Sequence, residues 1–464
     1  MNALDLSAAQ LIDAYRAGTL SPVETAQAAL DRAERLNGPL NAFSLIDREP
    51  ALAAARASEA RWRRGEPCGL LDGVPVTVKD ALLVKDWPMR RGSKTIAVDG
   101  PWSEDSPAVA RCREHGAVLF AQTTAPEFSW KGVTDSPLRG ITRNPWNPAL
   151  TPGGSSGGAA AAVAAGIGPL HLGGDGGGSL RIPAAFVGAY GFKPESGRIP
   201  LYPQSSPGAV GAIGPITRTV ADAALALTVM AAPDARDWWA LPHGARDYQL
   251  GPDDGLRGVR VAFSRNFGSV TVDPVIERLV EAAVGDLEAA GATVEEADPG
   301  FSSPRDTYYT LMCATYGHAL SLMAPERQAL LDPGLRAVIA DFQALTPAAI
   351  AAALLARAVL GQVMAGFHQR FDLLVSPQLP LVAFAAGHEV PPGSGFQRWL
   401  DWSPFTYPFN LTQQPAASVP VGLAHGLPAA IQIVGPRSGE SLVLRASRAI
   451  ERTRPFPRCP PLAA

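Results

Sequence analysis

The chain has few cysteines. Cys68, Cys112, Cys313 and Cys459 stand far apart, with no Cys-x-x-Cys pair, in 464 residues. That argues against a disulfide framework and against a cysteine zinc site, and it makes a reducing, cytoplasmic location the expectation. No close cluster of histidine, cysteine and carboxylate occurs, so no metal is expected. No long run of one charge occurs either. With 40 Lys+Arg against 43 Asp+Glu the net charge is −3, so a nucleic-acid partner is not expected. No run of about 18 apolar residues is present to span a bilayer. Residues 349–360 are apolar but short, and Arg357 interrupts them. The first fifteen residues carry Asp5 and Asp13 and no apolar centre, so they do not read as a signal peptide. The Gly-Lys-[Ser/Thr] of a P-loop is missing, as is Gly-x-Gly-x-x-Gly with an acidic partner, and no cofactor is expected. No fixed-period repeat is visible.

Glycine is abundant instead, and the chain is organised around residues 151–183. They read Thr-Pro-Gly-Gly-Ser-Ser-Gly-Gly, an alanine run, then Gly-Gly-Asp-Gly-Gly-Gly-Ser-Leu-Arg-Ile-Pro. Ser155 and Ser179 bracket a helix-forming stretch, 159–165. Glycine leaves backbone N–H groups uncovered, so such a turn beside a serine offers both a nucleophile and donors for an oxyanion.

Around this stretch, the patterns alternate. Ser7 starts a helix that ends at Gly18. Ser21-Pro22-Val23-Glu24 is a capping box with proline at the first helical position, and its helix is expected to stop at about Leu36, before Asn37-Gly38. A third helix covers 49–64. Residues 73–80, Gly-Val-Pro-Val-Thr-Val-Lys-Asp, read as a strand with Val74, Val76 and Val78 on one face and Thr77 and Lys79 on the other. Lys79 either reaches solvent from the strand end or is buried, with a pKa lowered enough to act as a base. Helix 106–116 and strand 117–121 follow, then an irregular, proline-punctuated stretch, 123–148, of the kind that lines sites. Gly214-Pro-Ile-Thr-Arg218 introduces a helix at 221–230. Strands are expected at 259–263, 293–296, 373–377 and 431–434, and helices at 274–290, 440–451 and over most of 300–370. Strands alternating with helices indicate α/β, a large mixed sheet enclosed by helices in one domain. Within it, 1–70 is the helical N-terminal segment, 71–230 the catalytic core, 231–400 a substrate-shaping region and 401–464 a return to the core.

A serine hydroxyl needs a base or relay to attack an amide. The seven histidines (115, 171, 243, 318, 368, 388, 425) have no triad-like setting, and His171 sits in an apolar run that reads as a buried strand. Gly-x-Ser-x-Gly occurs at 153–157, but Pro148 and Pro152 spoil the strand that a nucleophile elbow requires. Lysine is therefore the expected base.

The chain resembles the amidase signature family of amide hydrolases. The likeness rests on 73–80, Arg143-Asn-Pro-Trp-Asn147, Pro152-Gly-Gly-Ser-Ser-Gly-Gly158, 174–183, Gly191-Phe-Lys-Pro194, Gly214–Arg218 and 410–435, and so covers nearly the whole chain. The resemblance implies Lys79 as general base, Ser155 as a relay serine after a cis peptide bond and Ser179 as the acylated nucleophile. It also implies that the backbone N–H groups of Gly176, Gly177, Gly178 and Ser179 hold the oxyanion. Asp175 and Arg181 match positions that order the glycine turn, although Arg181 reads equally as a structural ion pair or as a partner for a substrate carboxylate. Ser156 is expected to support Ser155 by a hydrogen bond. Ser129 and Trp130 match the border of the acyl pocket, and Trp130 reads equally as core. The expected partner is a small-molecule amide, with a homo-oligomer left open.

The chain departs from the family at Gly174 and Gly176, which replace bulkier residues, at Asp86, Pro88, Met89 and Arg90, and at Gln413-Gln414. A glutaminase subunit of a tRNA-dependent amidotransferase and a catalytically silent binding protein are the alternatives. Tyr308, Tyr309, Tyr316, Phe396 and Trp399 hint at an apolar or aromatic acyl group.

Overall fold

Among the described residues one sheet of eleven strands runs through the molecule, and helices cover it. A computed structural model describes residues 3–204, 210–242 and 244–460; His243 lies outside them. In chain order the strands are β1 (Phe43–Ile46), β2 (Pro75–Lys79), β3 (Val118–Thr123), a small separate hairpin β4 (Asp135–Ser136) and β5 (Gly140–Ile141), β6 (Leu170–Asp175), β7 (Tyr190–Lys193), β8 (Ala212–Thr217), β9 (Arg260–Phe263), β10 (Thr293–Glu296), β11 (Leu373–Pro377), β12 (Ala416–Ala424) and β13 (Leu427–Val434). Their order in the large sheet is β1-β3-β2-β6-β8-β7-β12-β13-β11-β9-β10. β2 lies parallel to β3 and β6, β9 lies parallel to β10 and β11, and the pairs between these blocks are antiparallel. A strand buried on both faces needs no alternation of apolar and polar residues. β2 is such a strand, and all five of its residues are buried.

The expected helices at 7–18 and 21–36 form, the second with the predicted capping box on Ser21, and Ser7 closes a further capping box with Gln10. The second does not stop at Asn37-Gly38. It runs on to Leu40 through Gly38 and Pro39, and Asn41, left-handed at φ 48°, ends it. Asn37 does not break the helix because its side-chain amide spans the turn, accepting from Phe43 N–H at 2.9 Å and donating to Phe43 O at 3.3 Å. The segment 214–218 is also a correction: it is the core strand β8, not a helix lead-in, and its Gly-Pro sequence masks the strand. Strands β1, β7 and β12 and helix Arg181–Val187 carry too little pattern to be expected from sequence.

Helix Pro347–Phe367 is longer than the expected apolar run and is long and apolar enough, by length and composition, to cross a membrane. Much of it is exposed, including Leu354, Leu355 and Val359. Arg357 does not interrupt it, since its Nε donates to the Leu411 carbonyl at 2.8 Å.

Candidate active site

The carboxyl end of β2 delivers Lys79 into the middle of the molecule. The side chain is 1% exposed, and its Nζ lies 2.7 Å from Ser155 Oγ and 3.1 Å from Ser156 Oγ. Burial lowers its pKa to about 7, against the opposing pull of Asp175 and Asp80. Of the two readings of this lysine, the solvent-facing one is thereby excluded.

Ser155 sits in a chain segment that threads between walls. The Gly154–Ser155 peptide is cis. A Cβ on Gly154 would stand 2.5 Å from the Val133 carbonyl, so only glycine fits. Thr134 Oγ donates to Gly153 O at 2.8 Å and accepts from Gly157 N at 3.1 Å, which clamps the segment on both sides of Ser155. Contrary to expectation, Ser156 does not bond Ser155. Its Oγ bonds Lys79 and donates to the Gly174 carbonyl at 3.2 Å, because the chain turns there into helix Gly157–Ala164 and points the hydroxyl toward β6.

Ser179 follows β6 and the glycine turn, and is 8% exposed. Its carbonyl accepts from Ser156 N at 3.1 Å, joining the two serine loops. Lys79, Ser155 and Ser179 line one cavity of about 210 Å³, together with Gly176, Gly177, Ser129 and Trp130. Gly178 departs from its expected role. Its N–H donates to Asp175 Oδ1 at 2.7 Å, which removes it from the oxyanion donors. Its φ of 126° and the Thr406 side chain, 2.7 Å from any Cβ there, require glycine. The N–H groups of Gly176, Gly177 and Ser179 have no protein acceptor among the described residues.

Asp175 and Arg181 form a fully buried pair under the turn, with Arg181 Nε to Asp175 Oδ2 at 2.9 Å. Arg181 spends its other four donors on Asp175 Oδ1, the Thr406 carbonyl, Gln432 and Asn410. No N–H remains for a substrate carboxylate, so Arg181 is structural. Burial would raise the Asp175 pKa, but the Arg181 charge and hydrogen bonds hold it well below the usual carboxylate range. Tyr308 Oη donates to Gly176 O at 2.8 Å and Thr406 Oγ to Gly177 O at 2.6 Å, fixing the turn from its other side.

His171 is fully buried on β6, 2.7 Å from Thr77 Oγ, and burial depresses its pKa to about 3. It is a neutral core histidine. Of the aromatics expected to shape the pocket, Tyr308, Tyr316 and Trp399 line the cavity. Tyr309 turns away to Asp341, and Phe396 is exposed. Arg91, Phe128, Met312 and Met323 also line it, and no sequence pattern points to them. Among the described residues no group of three or more histidine, cysteine or carboxylate side chains is placed to hold a metal.

The Amidase family model matches residues 24–444. The chain belongs to the amidase family. An acylamidase of Rhodococcus erythropolis is 35% identical over 459 residues, covering 97% of this chain and 96% of that protein. The A-type subunit of the glutamyl-tRNA(Gln) amidotransferase of Gloeobacter violaceus is also 35% identical, over 96% of both chains. The crystal structure of a bacterial aryl acylamidase of the amidase signature family superposes with a TM-score of 0.90 at 33% identity, covering 97% of this amidase and 96% of that chain. The large mixed sheet wrapped in helices is therefore the fold of this family.

Proposed function

We propose that the protein is an amidase that hydrolyses a small carboxylic amide through an acyl-enzyme on Ser179, with Ser155 as proton relay and Lys79 as general base. The observation that carries the reading is a buried lysine with a pKa of about 7 at 2.7 Å from a serine that shares a cavity with a second serine. Unprotonated Lys79 takes the proton of Ser155 as Ser155 takes that of Ser179. The freed Ser179 oxygen attacks the amide carbon. Charge that develops on the carbonyl oxygen is met by the N–H groups of Gly176, Gly177 and Ser179, already in place before reaction. The same relay returns the proton to the departing nitrogen, which leaves as ammonia or amine. Water then attacks the ester and releases the carboxylate. The base operates near its own pKa, where general-base catalysis is most effective.

The amidotransferase relatives match this chain as well as the acylamidase does, so glutamine hydrolysis with partner subunits is the second reading. One experiment separates the two. Ammonia release is measured from glutamine, a dicarboxylate half-amide and an aryl amide, with Ser179→Ala beside the wild type. Turnover of an aryl amide or half-amide that Ser179→Ala abolishes supports the amidase. Turnover of glutamine alone supports the amidotransferase reading. Failure of a fluorophosphonate to label Ser179 in the wild type refutes both.

A further inference from the structure

The proposed chemistry leaves one cation of the cavity without a task. Arg91 lines it, in the loop after β2. Its backbone is left-handed, φ 52°, an uncommon state for a residue with a Cβ. Both ends of the residue are pinned there. The N–H donates to Asp80 Oδ1 at 2.9 Å, and the carbonyl accepts from Phe128 N at 2.8 Å. Among the described residues nothing accepts a hydrogen bond from the guanidinium, and Nε is buried without a partner. Asp80, the acid that accepts this N–H, spends both oxygens on the N–H groups of Arg91 and Gly92.

The other cations at the cavity are all engaged. Lys79 bonds two serines, and Lys131 is paired with Asp135 and Asp332. Three more donors on cavity-lining residues are buried and unpartnered: Ser129 Oγ, Trp130 Nε1 and Trp399 Nε1. Leu201, Ile213, Met312 and Leu320 supply apolar wall between them. The Arg91 side chain is half-buried, with its Nε shielded from solvent and unbonded, and a carboxylate offers a guanidinium two parallel hydrogen bonds. No free acid lines the cavity, since Asp175 is bound by Arg181, Asn410 and the turn.

We infer that Arg91 is the specificity-determining residue of this site: it takes a carboxylate carried on the apolar body of the substrate, which is therefore a monoamide that also bears an acid. The inference rests on the amidase reading and names its substrate class. An α-amino acid amide fits poorly, because its ammonium group meets no free carboxylate in the cavity.

The test compares 4-carbamoylbenzoate with benzamide, two amides that differ by one carboxylate. In the wild type, kcat/KM is expected to favour the acid by about tenfold or more, and Arg91→Met to cut that ratio by about 10- to 100-fold, the range for hydrogen bonds to a charged group. Arg91→Lys, which keeps the charge but not the fork, retains part of the preference. A ratio that Arg91→Met leaves unchanged overturns the inference, even if both rates fall, as does a wild type that prefers benzamide. If neither amide turns over, binding of 4-carbamoylbenzoate to Ser179→Ala is measured by calorimetry. Loss of that binding on adding Arg91→Met supports the inference, and equal or absent binding overturns it. Fluorophosphonate labelling of wild-type Ser179, run in parallel, reports separately on the amidase reading.

Discussion

The two walls of the cavity are made in different ways. One is backbone and small side chains: the end of β2, the segment 151–158 and the turn 174–181, tied by Thr134, Asp175, Arg181, Thr406 and Asn410. Its buried side-chain polar atoms have protein partners, and the N–H groups of Gly176, Gly177 and Ser179 are left open for the oxyanion. The other is built from large side chains at Arg91 in the loop after β2, on the segment 128–130, on helix Arg305–Met312 with its continuation, and at Trp399. There, Arg91, Ser129, Trp130 and Trp399 keep unpartnered donors. A wall whose groups satisfy one another holds a fixed geometry for bond breaking. A wall with unsatisfied donors awaits a ligand that satisfies them. On the proposed function, reaction and recognition fall to separate parts of the chain.

Variants on the first wall should remove rate, and variants on the second should redistribute it among substrates. Ser179→Ala is the largest expected effect, a loss of roughly ten-thousand-fold or more in kcat, measured by ammonia release on protein whose circular dichroism is unchanged. Arg181→Met should strike stability instead. It strands Asp175 as a buried charge, and urea unfolding should show a loss of about 3–5 kcal/mol. A loss below about 1 kcal/mol would mean that the turn does not depend on the pair. Tyr308→Phe deletes one bond to the Gly176 carbonyl. The expected cost is about 1 kcal/mol, read as a several-fold fall in kcat/KM for every amide in a panel. Because Tyr308 touches both walls, a fall confined to some amides would show that they are not separable. Met312→Ala, wholly on the second wall, should change KM severalfold and leave kcat within about twofold, the signature of uniform binding. A loss in kcat alone would blur the division.

The first wall is legible in the sequence because its chemistry is local. Lys79, Ser155 and Ser179 lie in short motifs, and the strand and helix starts around them obey capping and alternation rules that act over a few residues. The misreadings have the same origin. Motif position alone suggests roles for Ser156 and Gly178, but their actual partners, Lys79 and Asp175, depend on the direction each group takes in three dimensions. Arg181 looks free to meet a carboxylate in sequence because Gln432, Asn410 and Thr406 lie more than 220 residues away in the chain. β8 is hidden by Gly214-Pro215, whose local preference yields to pairing with β6 and β7. The second wall is illegible for a deeper reason. Arg91 and Met312 line one cavity only because the loop after β2 and the helix 305–312 fold to the same place, and no local pattern encodes that.

The central claim is that neutral Lys79 activates Ser179 through Ser155. The most direct measurement is the rate at which a fluorophosphonate labels Ser179, followed by mass spectrometry from about pH 5 to about pH 9, in the wild type and in Lys79→Met. Burial lowers the lysine pKa to about 7, so the active, unprotonated base is scarce below that pH and complete above it. The wild-type rate should therefore rise through about pH 7 and level off, and Lys79→Met should label slowly with no inflection there. A wild-type profile with no inflection near pH 7, or a Lys79→Met protein that keeps both the rate and the inflection, would contradict the account.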